Sequence, residues 1–203
     1  MFSHRPSSRM GSRRLPVNLA LASHGHQSMY NVDDRDEVVE LRDVPQSSVG
    51  APLPAVVATE HRLLLAYLLQ ATDPEWDGRT MRSVEPTSPD QLVALVEFEW
   101  PNAHFFGPPN DEAFTGHPLA GRGLEPYGVF EVRHSSWVRQ LERMNSVHPH
   151  HQPAAYQRLR HFVFAFHDST FECVAERFTF QVHGGSIAAA VEELARRLRA
   201  PAS

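Results

Sequence analysis

Histidine is the residue type that first suggests chemistry in this chain. There are 13, and eight of them fall between His104 and His167. A neutral imidazole binds divalent metals and titrates near physiological pH, so histidines gathered with carboxylates are the raw material of a metal or acid–base site. Two stretches gather them. The first is Phe106-Gly-Pro-Pro-Asn-Asp-Glu-Ala-Phe-Thr-Gly-His-Pro-Leu119, which sets Asp111, Glu112 and His117 among prolines and glycines. Proline fixes φ and lowers the entropy cost of ordering such a loop, and Gly116 before His117 lets the backbone approach closely. The second is the segment His161 to Val182, where His167-Asp168 sits at a turn and Glu172 follows on the next strand.

Together these stretches predict a small-molecule enzyme or ligand-binding protein. In its metal form, His117, His167, Glu172 and His104 hold a divalent ion, with Asp111 or Glu112 as the base. Imidazole plus carboxylate suits Zn, Fe or Mn. His161 lies six residues from His167 on one strand, about 20 Å away, so it is excluded from that site and expected to face Glu176 instead. The competing expectation is structural. Loop carboxylates satisfy backbone groups in Asx turns, and hairpin charges pair across strands on a solvated face. His148, His150 and His151 form a surface tract without helical spacing, Arg122 between two glycines offers an anion contact, and Cys173 falls on an apolar strand face where a thiol is normally inert.

Charge narrows the function classes. All 19 basic residues are Arg, which with the abundance of Ala, Pro and His points to a GC-rich bacterial genome. Four Arg precede Asp33, the first acidic residue; setting them aside leaves 15 Arg against 24 Asp and Glu, a body near −9. That argues against nonspecific nucleic-acid binding, which needs a basic face. It leaves open a non-enzymatic acidic interaction protein, an inhibitor or immunity-type binder, as the alternative function. The expected partner is thus a small-molecule ligand or a protein, with neither nucleic acid nor membrane. No apolar run approaches the roughly 18 residues of a spanning helix, and the lone Cys173 suits a reducing, cytoplasmic setting.

Positioning these residues requires a sheet. Residues 1–30 read as a disordered tail rich in Ser and Arg, and 31–203 as a single α+β domain. Within the tail, Ser12-Arg13-Arg14-Leu15 before a short apolar run faintly resembles a twin-arginine export signal, and Met29 is an alternative start. The body predicts about seven to nine strands of predominantly antiparallel, meander- or sandwich-like sheet. Strands are expected over 37–44, 55–59, 62–70, 79–85, 92–100 and 127–133. The run 63–69 is apolar enough to be buried on both faces. Residues 101–126 read as a long loop, which inside a compact domain is usually functional. A helix pair follows: one helix capped by Ser135 or Ser136 and running to Asn145, with Trp137, Leu141 and Met144 on its stripe, and a second from Pro153 to about Arg160. In the hairpin, Phe162, Phe164 and Phe166 alternate with polar and small residues, as do Phe171, Cys173 and Ala175. A turn at Asp168-Ser169 would set Phe164 opposite Cys173 and Phe166 opposite Phe171. A C-terminal helix with Ile187, Val191, Leu194 and Leu198 inward closes the chain.

Overall fold

The computed structural model describes residues 29–70 and 83–199. Within them the chain is α+β and mostly antiparallel sheet, as its alternation predicts. The strands are β1 (Glu37–Glu40), β2 (Ala55–Ala58), β3 (Leu63–Leu68), β4 (Gln91–Glu99), β5 (Ala103–Gly107), β6 (Val129–Arg133), β7 (Arg160–Ala165), β8 (Thr170–Ala175) and β9 (Arg177–Gly185). The helices are α1 (Ser136–Asn145), α2 (Pro153–Tyr156) and α3 (Ile187–Arg199). One sheet runs β1-β6-β7-β8-β5 and the other β2-β3-β4-β9, with every pairing antiparallel.

The two sheets stack over a core rich in aromatic rings. Phe162, Phe164, Phe166 and Phe171 of the first sheet meet Tyr67 and Phe98 of the second, all buried. The rings meet mainly at steep or tilted angles, as for Phe98 against Phe164 at 5.9 Å and 82°, an arrangement that aromatic quadrupoles favour. Each outer face has its own cover. Over the second sheet, Ile187, Ala190 and Leu194 of α3 pack on Leu64, Ala66, Val93 and Leu95. That explains why β3 is apolar throughout and buried at all six positions. Over the first sheet lie Trp137 of α1, Tyr30, Phe114 of one short 3₁₀ turn and Leu119 just before a second, against Phe130, Val132, Val163 and Val174.

Several elements differ from what the sequence predicts. β1 ends at Glu40, because Leu41 to Val44 turn away. Of the strand expected over 79–85, residues 79–82 lie outside the described residues, and Ser83 to Glu85 are irregular. The segment 101–126 is not all loop: β5 and the 3₁₀ turns Phe114–Gly116 and Ala120–Arg122 lie within it. Tyr30, placed in the tail, is only 2% exposed; residues 1–28 of that tail lie outside the described residues. Ser135 does cap α1, its hydroxyl accepting from the N–H groups of Trp137 and Val138, but Met144 is exposed and Val138 joins the inner stripe instead. In the hairpin the turn falls one residue early, at His167-Asp168, with the Phe166 N–H donating to the Ser169 carbonyl. Phe164 therefore faces Phe171, and Phe162 faces Cys173. A turn moved by one residue shifts the register by two, so each side chain keeps its face and the apolar split survives.

Candidate functional site

The face of the hairpin read as polar and solvated is covered. Glu172 of β8 and His161 of β7 lie beneath the Tyr30–Trp137 layer, 4% and 0% exposed. They are diagonal neighbours, since His161 pairs with Val174 and Glu172 with Val163. Three donors reach the Glu172 carboxylate. The Tyr30 hydroxyl donates at 2.5 Å and His161 Nε2 lies at 2.9 Å, both on Oε2, while His117 Nε2 lies 3.3 Å from Oε1. The far nitrogens fix the tautomers. The Leu119 N–H donates to His117 Nδ1 at 3.1 Å, so the proton of that ring sits on Nε2 and points at Glu172. Ser135 Oγ already accepts two helix N–H groups, which leaves its own proton for His161 Nδ1 at 3.0 Å. Burial raises the Glu172 pKa, but the hydrogen bonds from His117 and His161 outweigh it and hold the group well below the usual carboxylate range. Burial, then the charge of Glu172, push the Tyr30 phenol up. Every strong group here is matched inside the protein, which is the pattern of a structural polar network.

A second constellation sits at the turn. The loop returns across the end of the hairpin, where the Asp111 N–H donates to the His167 carbonyl at 2.9 Å. This brings Asp111 Oδ2 to 3.0 Å from His167 Nδ1 and the Tyr127 hydroxyl to 3.0 Å from the same nitrogen. Tyr127 also donates to Asp111 Oδ2, and its ring stacks on the imidazole at 6.2 Å and 16°. That hydrogen bond lowers the Asp111 pKa and pushes Tyr127 up to about 12. Tyr127 adopts a φ of +64°, a conformation uncommon for a bulky side chain. His167 Nδ1 is thereby engaged, while Nε2 makes no hydrogen bond among the described residues and lies 3.9 Å from Asp168 on a partly exposed side chain.

The six predicted site residues therefore divide. His117 and Glu172 come together in the interior, and Asp111 and His167 at the turn. Glu112 is exposed, its backbone N–H held by Asp111 Oδ1. His104 is exposed on the edge strand β5, paired with Cys173; alternation puts it on the opposite face from Glu172. Among the described residues no group of three or more His, Cys, Asp or Glu is arranged to hold a metal ion. His161, excluded by its distance from His167, is instead the closest histidine to Glu172, and Glu176, its expected partner, pairs with Arg158 at 3.2 Å. Tyr30 and Tyr127 carry no signal in the sequence, because neither lies near its partner along the chain. Of the weaker candidates, Arg122 donates to the Asp34 carbonyl, and His151 binds Glu142 and Asn145. Cys173 is buried, which raises its pKa well above the ordinary thiol value.

Two clefts lie elsewhere, on either side of α2. One, of about 630 Å³, runs between α1, α2 and the ends of β6 and β7. Four arginines line it, Arg35, Arg133, Arg139 and Arg160, along with Val138, Tyr156 and Leu159. The other, of about 480 Å³, shares Tyr156 and Leu159 and opens beside Trp100. No protein-family model, no curated protein and no solved structure matches this chain.

Proposed function

We propose that the protein binds a small anionic molecule, a carboxylate or phosphate with an apolar body, in the cleft between α1 and α2. The observation that carries this is that four arginines line one cleft, beside Glu131 and Glu142, in a chain whose net charge is −5. Their neutralisation is incomplete. Arg160 forms a two-pronged pair with Glu131, and Arg35 pairs with Asp33. Arg139 Nη2 lies 2.6 Å from Asp33, but its Nε and Nη1 are buried with no acceptor among the described residues. Arg133 is exposed and makes no ion pair or hydrogen bond among them. An arginine fork matches the planar oxygens of carboxylate and phosphate, and a buried N–H without an acceptor costs about 1–3 kcal/mol, which an arriving oxyanion could relieve. Val138, Tyr156 and Leu159 supply an apolar wall, and the volume suits a small ligand.

Calorimetric titration at constant ionic strength tests this. With inorganic phosphate, pyrophosphate and benzoate as probes, at least one should bind saturably, at least tenfold more weakly to Arg133→Ala. No saturable heat from any of the three contradicts it.

A second reading has its own support. The fixing of His167 Nδ1 by Asp111 and Tyr127 leaves Nε2 available as a general base, the arrangement an acid–base enzyme needs. The hydrolysis of p-nitrophenyl acetate should then exceed that by an equal concentration of free imidazole and fall to that level in His167→Gln.

A further inference from the structure

We propose that the cleft beside Trp100 is a sugar-binding platform that takes a pyranose ring of a neutral oligosaccharide on the indole face. The cleft opens at a corner of the fold. The chain leaves β4 in one sheet and enters β5 in the other within three residues, alongside the matching passage from β8 to β9. Backbone hydrogen bonds lock this corner on both sides: the Glu176 N–H donates to the Glu99 carbonyl at 3.0 Å, and the Asn102 N–H to the Val174 carbonyl at 2.8 Å. Trp100 is the pivot, with a φ of +51°. Glycine adopts that conformation at no steric cost, whereas a bulky residue there is an outlier. The corner alone would be served best by glycine.

The indole does not compensate by packing, because Trp100 is 75% exposed. A strained backbone that holds a large aromatic ring in water points to a use for the ring. Its surroundings say which. The cleft beside it is lined by Asn102, Asn145, Gln152 and Tyr156, together with Arg158 and Glu176. Arg158 and Glu176 neutralise each other at 3.2 Å, so the cleft, which His61 and His150 also line, offers no unpaired guanidinium for a phosphate. The side-chain amides of Asn102 and Gln152 make no hydrogen bond among the described residues, and each presents a donor and an acceptor. An apolar face with amide donors and acceptors around it complements a ring that has C–H groups on its face and hydroxyls on its rim. A flat aromatic ligand would use the indole but has no rim of hydroxyls to meet the amides on both sides of it. This site stands apart from the anion cleft, on the other side of Tyr156.

The experiment is a titration of the full chain with maltotriose, cellotriose and N,N′,N″-triacetylchitotriose, followed by the side-chain amide and indole N–H signals in an NMR spectrum. Adenosine serves as the flat aromatic control. At least one trisaccharide should shift the Asn102 and Gln152 amide signals saturably in the millimolar range, and more tightly than adenosine does. Trp100→Gly should bind at least tenfold more weakly while melting no lower than the wild type, since glycine suits the corner. Arg133→Ala should bind the sugar unchanged, which separates this site from the anion cleft. Three results overturn the proposal: no saturable shift with any trisaccharide, undiminished binding by Trp100→Gly, or adenosine binding as tightly as the best sugar.

Discussion

Two groups of histidine, carboxylate and tyrosine gather around the same hairpin and have opposite fates. At the centre of the strands, Glu172 gathers Tyr30, His161 and His117 under a lid of aromatic side chains, and every strong donor ends on a protein acceptor. At the turn, Asp111 and Tyr127 hold one nitrogen of His167 and leave the other without a hydrogen bond among the described residues. The residue types are nearly the same. What differs is the covering layer, and the lesson is that it decides whether such a group supports the fold or remains open to chemistry.

The largest effect should come from breaking the buried group on the donor side. His161→Ala leaves the Glu172 charge buried with fewer donors, and the loss should reach about 3–5 kcal/mol, read from chemical denaturation. A loss under about 1 kcal/mol would mean that water reaches Glu172. Tyr30→Phe removes one hydrogen bond to a charged group and keeps the ring against Trp137, so a smaller cost of about 1.5–3 kcal/mol is expected.

Titration sharpens the comparison from the acid side. The folded Glu172 pKa is lowered, so its contribution is fully present above the unfolded value near pH 4.3 and is lost as pH falls further toward the folded value. Tyr30 works in the other direction: its folded pKa is raised, so stability is lost as pH climbs above about 10. Denaturation midpoints measured across pH should show an acid limb that flattens in Glu172→Gln. The smallest effect belongs to the turn. Asp111→Asn keeps the shape of a half-buried side chain, and its Oδ1 can still accept from the Glu112 N–H, so the melting temperature should stay within error of the wild type. A drop of several degrees would make the turn group a structural element as well.

The fold was largely legible, because alternation with a period of two shows in Phe162, Phe164 and Phe166 and again in Phe171, Cys173 and Ala175. That signal tolerates the early turn, since a two-residue register change preserves faces. It could not show what lies above the other face. Tyr30, the 3₁₀ turns and α1 come from three separate parts of the chain, so Glu172 and His161 read as solvated when they are sealed. The pairing of Asp111 with His167 was half visible: both residues stood out, but the loop's path across the turn was not in the sequence. The clefts left still less trace. Arg35, Arg133, Arg139 and Arg160 come from a loop, a strand, a helix and another strand with no common spacing, and a left-handed backbone at Trp100 has no signature where glycine would be the expected residue.

The central claim is that the Glu172 group holds the fold while the arginine cleft meets the ligand. Thermal melting with and without pyrophosphate, at constant ionic strength, tests both halves at once in the wild type, Glu172→Gln and Arg133→Ala. Glu172→Gln should melt several degrees lower yet keep the upward shift produced by pyrophosphate, because a ligand that binds only the folded state stabilises it by mass action. Arg133→Ala should melt where the wild type does and lose most of that shift. An unchanged melting point in Glu172→Gln, or a full pyrophosphate shift in Arg133→Ala, would contradict it.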